Sequence, residues 1–203
     1  MLFWSALGIY LFARGYPSRH QTFLALSGAG LGLSTMSKLF GALPMAGIGL
    51  FLLVEGLRTR RWRQAISAGL GVGLPFLAVV AIIGGSFSSL TPNFLGAVLG
   101  HHLRQGIGTP FRQVVQKGIV LYRDYAAVQP LYALAALGGV VVSFRRRERI
   151  GRILACQLPT ALSFLVITRN LQGRHLTYLV PSLAALAAVA FDRIWNLIAA
   201  RKA

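Results

Sequence analysis

The sequence predicts an all-α fold: a polytopic transmembrane helix bundle of about seven spans, with interfacial helices in one long outer loop. Three observations lead there. Hydrophobic residues make up 55% of the 203 and charged residues only 12%, too little polar surface for a water-soluble globule. The apolar residues run in long blocks rather than at the half-buried spacing of a soluble helix or strand. The basic residues stand in short clusters between those blocks, as the positive-inside bias of membrane proteins requires.

Taken in order, the apolar blocks bounded by charge are 2–13, 22–36, 39–54, 65–83, 126–144, 153–168 and 176–191. Several fall short of the roughly 20 residues of a straight span, and flanking Arg and Tyr side chains that snorkel to the interface extend them. The first block begins at Met1 without a basic leader or a small-residue cleavage site, so it reads as a shortened span and not as a signal peptide. Cys156 is the only cysteine and sits in an apolar stretch, which leaves neither a disulfide framework nor a thiolate metal site. No internal repeat stands out, and residues 1–203 read as a single transmembrane domain.

Twenty-one Lys and Arg against four Asp and Glu give a formal net charge of +17, which in a soluble protein would point to nucleic acid. Here the charge reports topology, and no nucleic-acid partner is expected. If the first span exits to the cytoplasm, the inner side receives Arg14, Arg19, Arg58, Arg60, Arg61, Arg63, Arg145, Arg146, Arg147, Arg149, Arg152, Arg193, Arg201 and Lys202. The outer side receives only Lys38, Arg104, Arg112, Lys117, Arg123, Arg169 and Arg174. Every dense cluster is then inside, with Trp62 and Trp195 at the inner boundary and Trp4 at the outer. The expected location is an inner (plasma) membrane of bacterial type, with the basic loops cytoplasmic.

Residues 84–125 form the one long connection, and long connections often carry function. Thr109-Pro110 reads as an N-cap followed by proline at the first helical position. Phe111, Val114, Val115, Ile119 and Tyr122 then make one apolar face, opposite Arg112, Gln113, Gln116 and Lys117, so a helix lying in the outer interface is expected. Upstream, Phe94, Leu95, Val98, Leu99 and Leu103 form a second apolar stripe, with His101 and Arg104 one turn apart.

The outer face gathers cations near apolar walls: Lys38, His101, His102, Arg104, Arg169, Arg174 and His175. Charges beside hydrocarbon are expensive unless paired, and carboxylates are scarce, so the chemistry calls for an external anion such as a phosphate at the membrane surface. Each of these residues also has a plainer reading. Lys38 can snorkel at a helix end, and Arg174 and His175 can anchor the start of the last span. His101 and His102 are adjacent and point to different sides of a helix, with no third ligand at i+4, which argues against a metal. Among the acidic residues only Asp124 faces outward; it is the one catalytic candidate, but it adjoins Arg123 and precedes a span, where an ion pair or N-cap role comes more readily.

The stretch Ala29-Gly30-Leu31-Gly32-Leu33-Ser34-Thr35-Met36-Ser37-Lys38 resembles the glycine- and leucine-rich segment of GT-C class integral-membrane glycosyltransferases. These are the enzymes of the protein mannosyltransferase and aminoarabinose transferase kind, including glycosyltransferase family 39. The segment Gly173-Arg174-His175-Leu176-Thr177-Tyr178-Leu179-Val180-Pro181, running on to Ala187, resembles a second segment of theirs, with Arg174, Tyr178 and Pro181 carrying the match. The order between them is similar too, with a basic inner turn and a long outer loop holding a His/Arg pair.

The resemblance implies transfer of a sugar from a polyprenyl-phosphate donor to a glycan, lipid or protein acceptor on the outer face. It implies that Lys38 and Arg174, with His101 and Arg104, hold the donor's lipid phosphate. Such enzymes carry their catalytic acid in the first outer loop; no counterpart stands here, so the chain is expected to be the C-terminal portion of a larger enzyme whose base lies upstream of Met1. No cofactor is evident; a divalent metal assists some relatives, but the sequence shows no ligand set for one. Two other classes stay open: a non-catalytic lipid-anion transporter of flippase-like character, and a membrane scaffold whose outer interfacial helix docks a partner chain.

Overall fold

The computed structural model describes residues 2–37, 39–90, 130–146, 148–167 and 180–200, with single positions between 112 and 129. The described residues are helical throughout, and no strand occurs among them. The helices are α1 (Leu2–Ser18), α2 (Gln21–Ser37), α3 (Leu43–Thr59), α4 (Trp62–Leu90), α5 (Pro130–Arg146), α6 (Arg149–Ile167) and α7 (Val180–Ala200), with a 3₁₀ turn at Leu39–Ala42 before α3. Each α-helix falls on one of the seven predicted blocks.

One of them is long and apolar enough to cross a membrane by itself: Trp62–Ser86 of α4 has a mean hydropathy of 2.3. By contrast, α1, α2, α3 and α5 have 17 residues each, about 25 Å of helix against a hydrocarbon core of about 30 Å.

Boundaries differ from the sequence expectation where local chemistry decides them. The third helix starts at Leu43 rather than at residue 39, with Pro44 in its first turn, where a missing N–H costs nothing. In the other direction, α4 does not stop before Gly84 but runs through it to Leu90, so the start of the expected loop is helix. Gly84 and Gly85 weaken a helix by about 1 kcal/mol each without breaking it, and Ser86 Oγ bonds back to the Ile82 carbonyl at 2.8 Å.

The chain folds as two compact units, Met1–Gly106 and Ile107–Ala203. In the first, α1 and α2 form an antiparallel hairpin. Its turn is a left-handed Arg19 (φ 55°), and the His20 N–H returns to the Gly15 carbonyl at 3.0 Å, the closing bond of a Schellman motif. Along the hairpin, Ser5 and Ser34 share a buried hydroxyl bond of 2.7 Å, and Ser27 Oγ donates to the Gly8 carbonyl at 2.7 Å.

Helix α2 packs on α4 in parallel, and glycine sets the distance. A Cβ on Gly28 would collide with the Val72 carbonyl, and one on Gly32 would lie 2.9 Å from Val79. Close backbone approach through small residues at i and i+4 is how helices associate when lipid removes the hydrophobic drive between them. Phe12 and Tyr16 of α1 each meet Phe51 of α3 edge to face, with ring centres 5.9 and 5.5 Å apart and Phe12 and Phe51 almost wholly buried.

The second unit repeats that logic. The buried face of α5 is Ala133, Ala136, Gly139 and Ser143, all small. A Cβ on Gly139 would meet the Leu186 carbonyl of α7, and one on Gly151 of α6 would meet Ser143 Oγ. The bulky residues point outward: Leu131, Leu134, Leu137 and Val141 on α5, and Phe191, Ile194, Trp195 and Ile198 on α7, are exposed. On α4, Ile66, Leu70, Leu74 and Leu77 form the corresponding exposed stripe. Large apolar residues thus stand on the outside of the helices as well as in the core, where Phe12, Leu31, Ile48, Phe51, Ile153 and Leu186 are fully buried.

Candidate functional site

Lys38, His101, Arg104 and Arg174, the residues expected to hold a phosphate, lie outside the described residues, as do His102, Arg169 and His175. What is described is the chain leading to Lys38. Ser34 is fully buried and bonded to Ser5, Thr35 and Ser37 donate to the carbonyls of Leu31 and Leu33, and Gly41 of the 3₁₀ turn lies against Ser34. Thus the last turn of α2 is pinned on several sides immediately before Lys38.

The glycines of the same segment have a structural use of their own. Gly30 lies against α1, and Gly32, with Gly28 just upstream, lies against α4. Helix contact alone therefore requires the glycine pattern on which part of the glycosyltransferase resemblance rests. The weight of that resemblance falls on Lys38 and Arg174.

Asp124 is helical and exposed, and Arg123 Nη2 lies 3.3 Å from its Oδ1. The pair is open to solvent on both sides, where such contacts contribute little to stability. Of the interfacial helix expected over 111–122, Arg112, Gln113, Gln116, Ile119 and Val120 are described, and all are helical and exposed. No Asp or Glu is buried among the described residues, and no three His, Cys, Asp or Glu side chains gather there as metal ligands.

One feature escaped the sequence reading. Arg152, expected on an open inner loop, stands in α6 at 7% exposure, with Gln157 at 5% on the same helix. The backbone explains it: α6 begins at Arg149, and the Arg152 N–H bonds the Glu148 carbonyl at 3.0 Å, so Arg152 is already inside the helix. The moderately amphipathic order Arg152-Ile153-Leu154-Ala155-Cys156 was the available signal, because Arg152 neighbours the buried Ile153 and Cys156 positions.

The basic residues of the first unit, which the sequence reading grouped on one side, have a simple geometry. Because the helices run up, down, up and down, the ends of α1 and α3 and the starts of α2 and α4 meet at one pole. Arg14, Arg19, Arg58, Arg60, Arg61 and Arg63 all stand at that pole, with the Arg14 guanidinium 6.0 Å from the Tyr10 ring centre. Arg60, like Arg19, takes the left-handed conformation (φ 56°) that ends its helix.

Comparison with protein-family models, with curated proteins and with solved structures finds no match to this chain.

Proposed function

We propose that the chain forms a multi-pass bundle in the membrane, with its arginine-rich turns on the cytoplasmic side, and that it is part of a glycosyltransferase taking a sugar from a polyprenyl-phosphate donor on the outer side. The observation that carries the membrane half of this reading is α4, whose stretch Trp62–Ser86 is long and apolar enough to cross a membrane and leaves Ile66, Leu70, Leu74 and Leu77 exposed. Helices of 17 residues reach both interfaces when Arg, Tyr and Trp at their ends snorkel.

The transfer half rests on the Lys38 and Arg174 segments. A departing lipid phosphate gains negative charge, and cations held in a low-dielectric setting stabilise it before the bond breaks. In the full-length protein, Lys38→Ala and Arg174→Ala are each expected to lower sugar transfer from a polyprenyl-phosphate donor by about a hundredfold while the amount of protein in the membrane stays the same. Undiminished transfer contradicts the assignment.

One observation favours a second reading. The sequence supplies outer-face cations for anion binding, while Asp124, its one outward carboxylate, is exposed and paired with Arg123. A non-catalytic carrier of lipid anions needs only the cations, and movement of polyprenyl phosphate across proteoliposomes with no sugar transferred would replace the first reading by this one.

A further inference from the structure

The basic pole of the first unit contains a groove that the outer-face chemistry does not use. Two adjoining hollows of about 520 and 230 Å³ open between the start of α2 and the start of α4, and both are bordered by Gln21, Arg63 and Ser67. Arg19 and Gln64 complete the smaller one, over a floor of Tyr16 and Leu24. Ile66, Leu70 and Leu74 line the larger, forming an apolar wall that climbs α4 away from the arginines.

The electrostatics of this place are one-sided. Since α2 and α4 are parallel, their N-termini lie side by side, and each brings the positive end of a helix dipole to the groove. Arg19 and Arg63 add two guanidinium groups, and neither has a carboxylate within ion-pair distance among the described residues. Both guanidinium groups are exposed, so solvent screens much of their repulsion, and an anion between them relieves the rest. The shape selects the anion further: a polar, hydrogen-bonding mouth continues into an exposed leucine and isoleucine track, which matches a molecule with a phosphate head and a hydrocarbon tail.

We infer that this groove is a binding site for one anionic glycerophospholipid of the cytoplasmic leaflet, its phosphate between Arg19 and Arg63, its glycerol oxygens near Gln21, Gln64 and Ser67, and an acyl chain along Ile66, Leu70 and Leu74. The inference rests on α4 being a membrane span. The bound lipid offsets part of the positive charge of the pole and bridges the α1–α2 turn to the start of α4.

Trp62, next to Arg63 in the chain and with its ring against Gly56 of α3, supplies the readout. In the full chain carrying Trp4→Phe and Trp195→Phe, the remaining tryptophan fluorescence is measured in phosphatidylcholine bilayers containing either brominated phosphatidylglycerol or brominated phosphatidylcholine, after flotation has confirmed insertion. The expected result is that brominated phosphatidylglycerol quenches at about a tenth of the mole fraction that brominated phosphatidylcholine needs. The preference should disappear in R19Q/R63Q and persist in R145Q/R146Q, whose charges stand on α5. Equal quenching by the two lipids in the unsubstituted groove overturns the proposal without recourse to any variant. So does a preference abolished by millimolar inorganic phosphate, which would mark a soluble-anion site. A chain that fails to float with the bilayers overturns the span itself, a different failure from the loss of lipid preference.

Discussion

Gly28 and Gly49 differ in surroundings although sequence treats them alike. A side chain at Gly28 runs into the Val72 backbone of α4, whereas nothing stands within 4 Å of where a Cβ on Gly49 would go. Gly28→Leu is therefore expected to cost about 3 kcal/mol of bundle stability through overpacking, and Gly49→Ala to add about 0.5 to 1 kcal/mol through helix propensity. Circular dichroism across an SDS titration in mixed micelles reads both; equal shifts would contradict the α2–α4 contact. Arg60 offers a third test on the same assay, since its left-handed backbone favours glycine: Arg60→Gly should stabilise the bundle by about 0.5 to 1 kcal/mol. Little of this was legible in the sequence. Hydropathy registers a glycine-rich block as apolar and says nothing of which glycine touches a neighbour, so the pattern over 29–38 was open to a family reading as well as to a packing one. The burial of Arg152 was hidden likewise, because a basic cluster reads as a loop until the helix start is known.

At the scale of elements the sequence was more informative, for a physical reason. Apolar blocks set apart by charged stretches read as separate helices, and each of the seven blocks coincides with a helix of the described residues. Their ends were less legible, since Gly84 and Gly85 can either stop a helix or be carried through it; in α4 they are carried through. The exposed stripe of α4 gives this helix a test that discriminates lipid from water. Leu77 is 60% exposed within the membrane-length stretch. On a soluble helix Leu77→Arg would be harmless, whereas in a bilayer it should cost about 2.5 to 3.5 kcal/mol and sharply lower the inserted fraction, measured by glycosylation mapping of α4 in a translocation assay. Unchanged insertion would take α4 out of the hydrocarbon.

For the molecule as a whole, the fold gives the arginines a common address. In the first unit they collect at one pole because helices of similar length alternate in direction, and the sequence already announced that alternation through the spacing of its basic turns. The other end of α2, at Ser37, is separated from the arginine pole by the length of the helix, about 25 Å for 17 residues. That separation has meaning only if a membrane lies between the two ends. The direct measurement is cysteine accessibility in a Cys156→Ala background, with single cysteines at Ser18, Ser37 and Thr59, all of them exposed helix-end residues. With an impermeant maleimide on intact cells, Ser37→Cys should label at once, and Ser18→Cys and Thr59→Cys only after the membrane is opened. Labelling of Ser18→Cys and Thr59→Cys from opposite sides, or equal labelling of all three in a chain that alkaline carbonate strips from the membrane, would contradict the account.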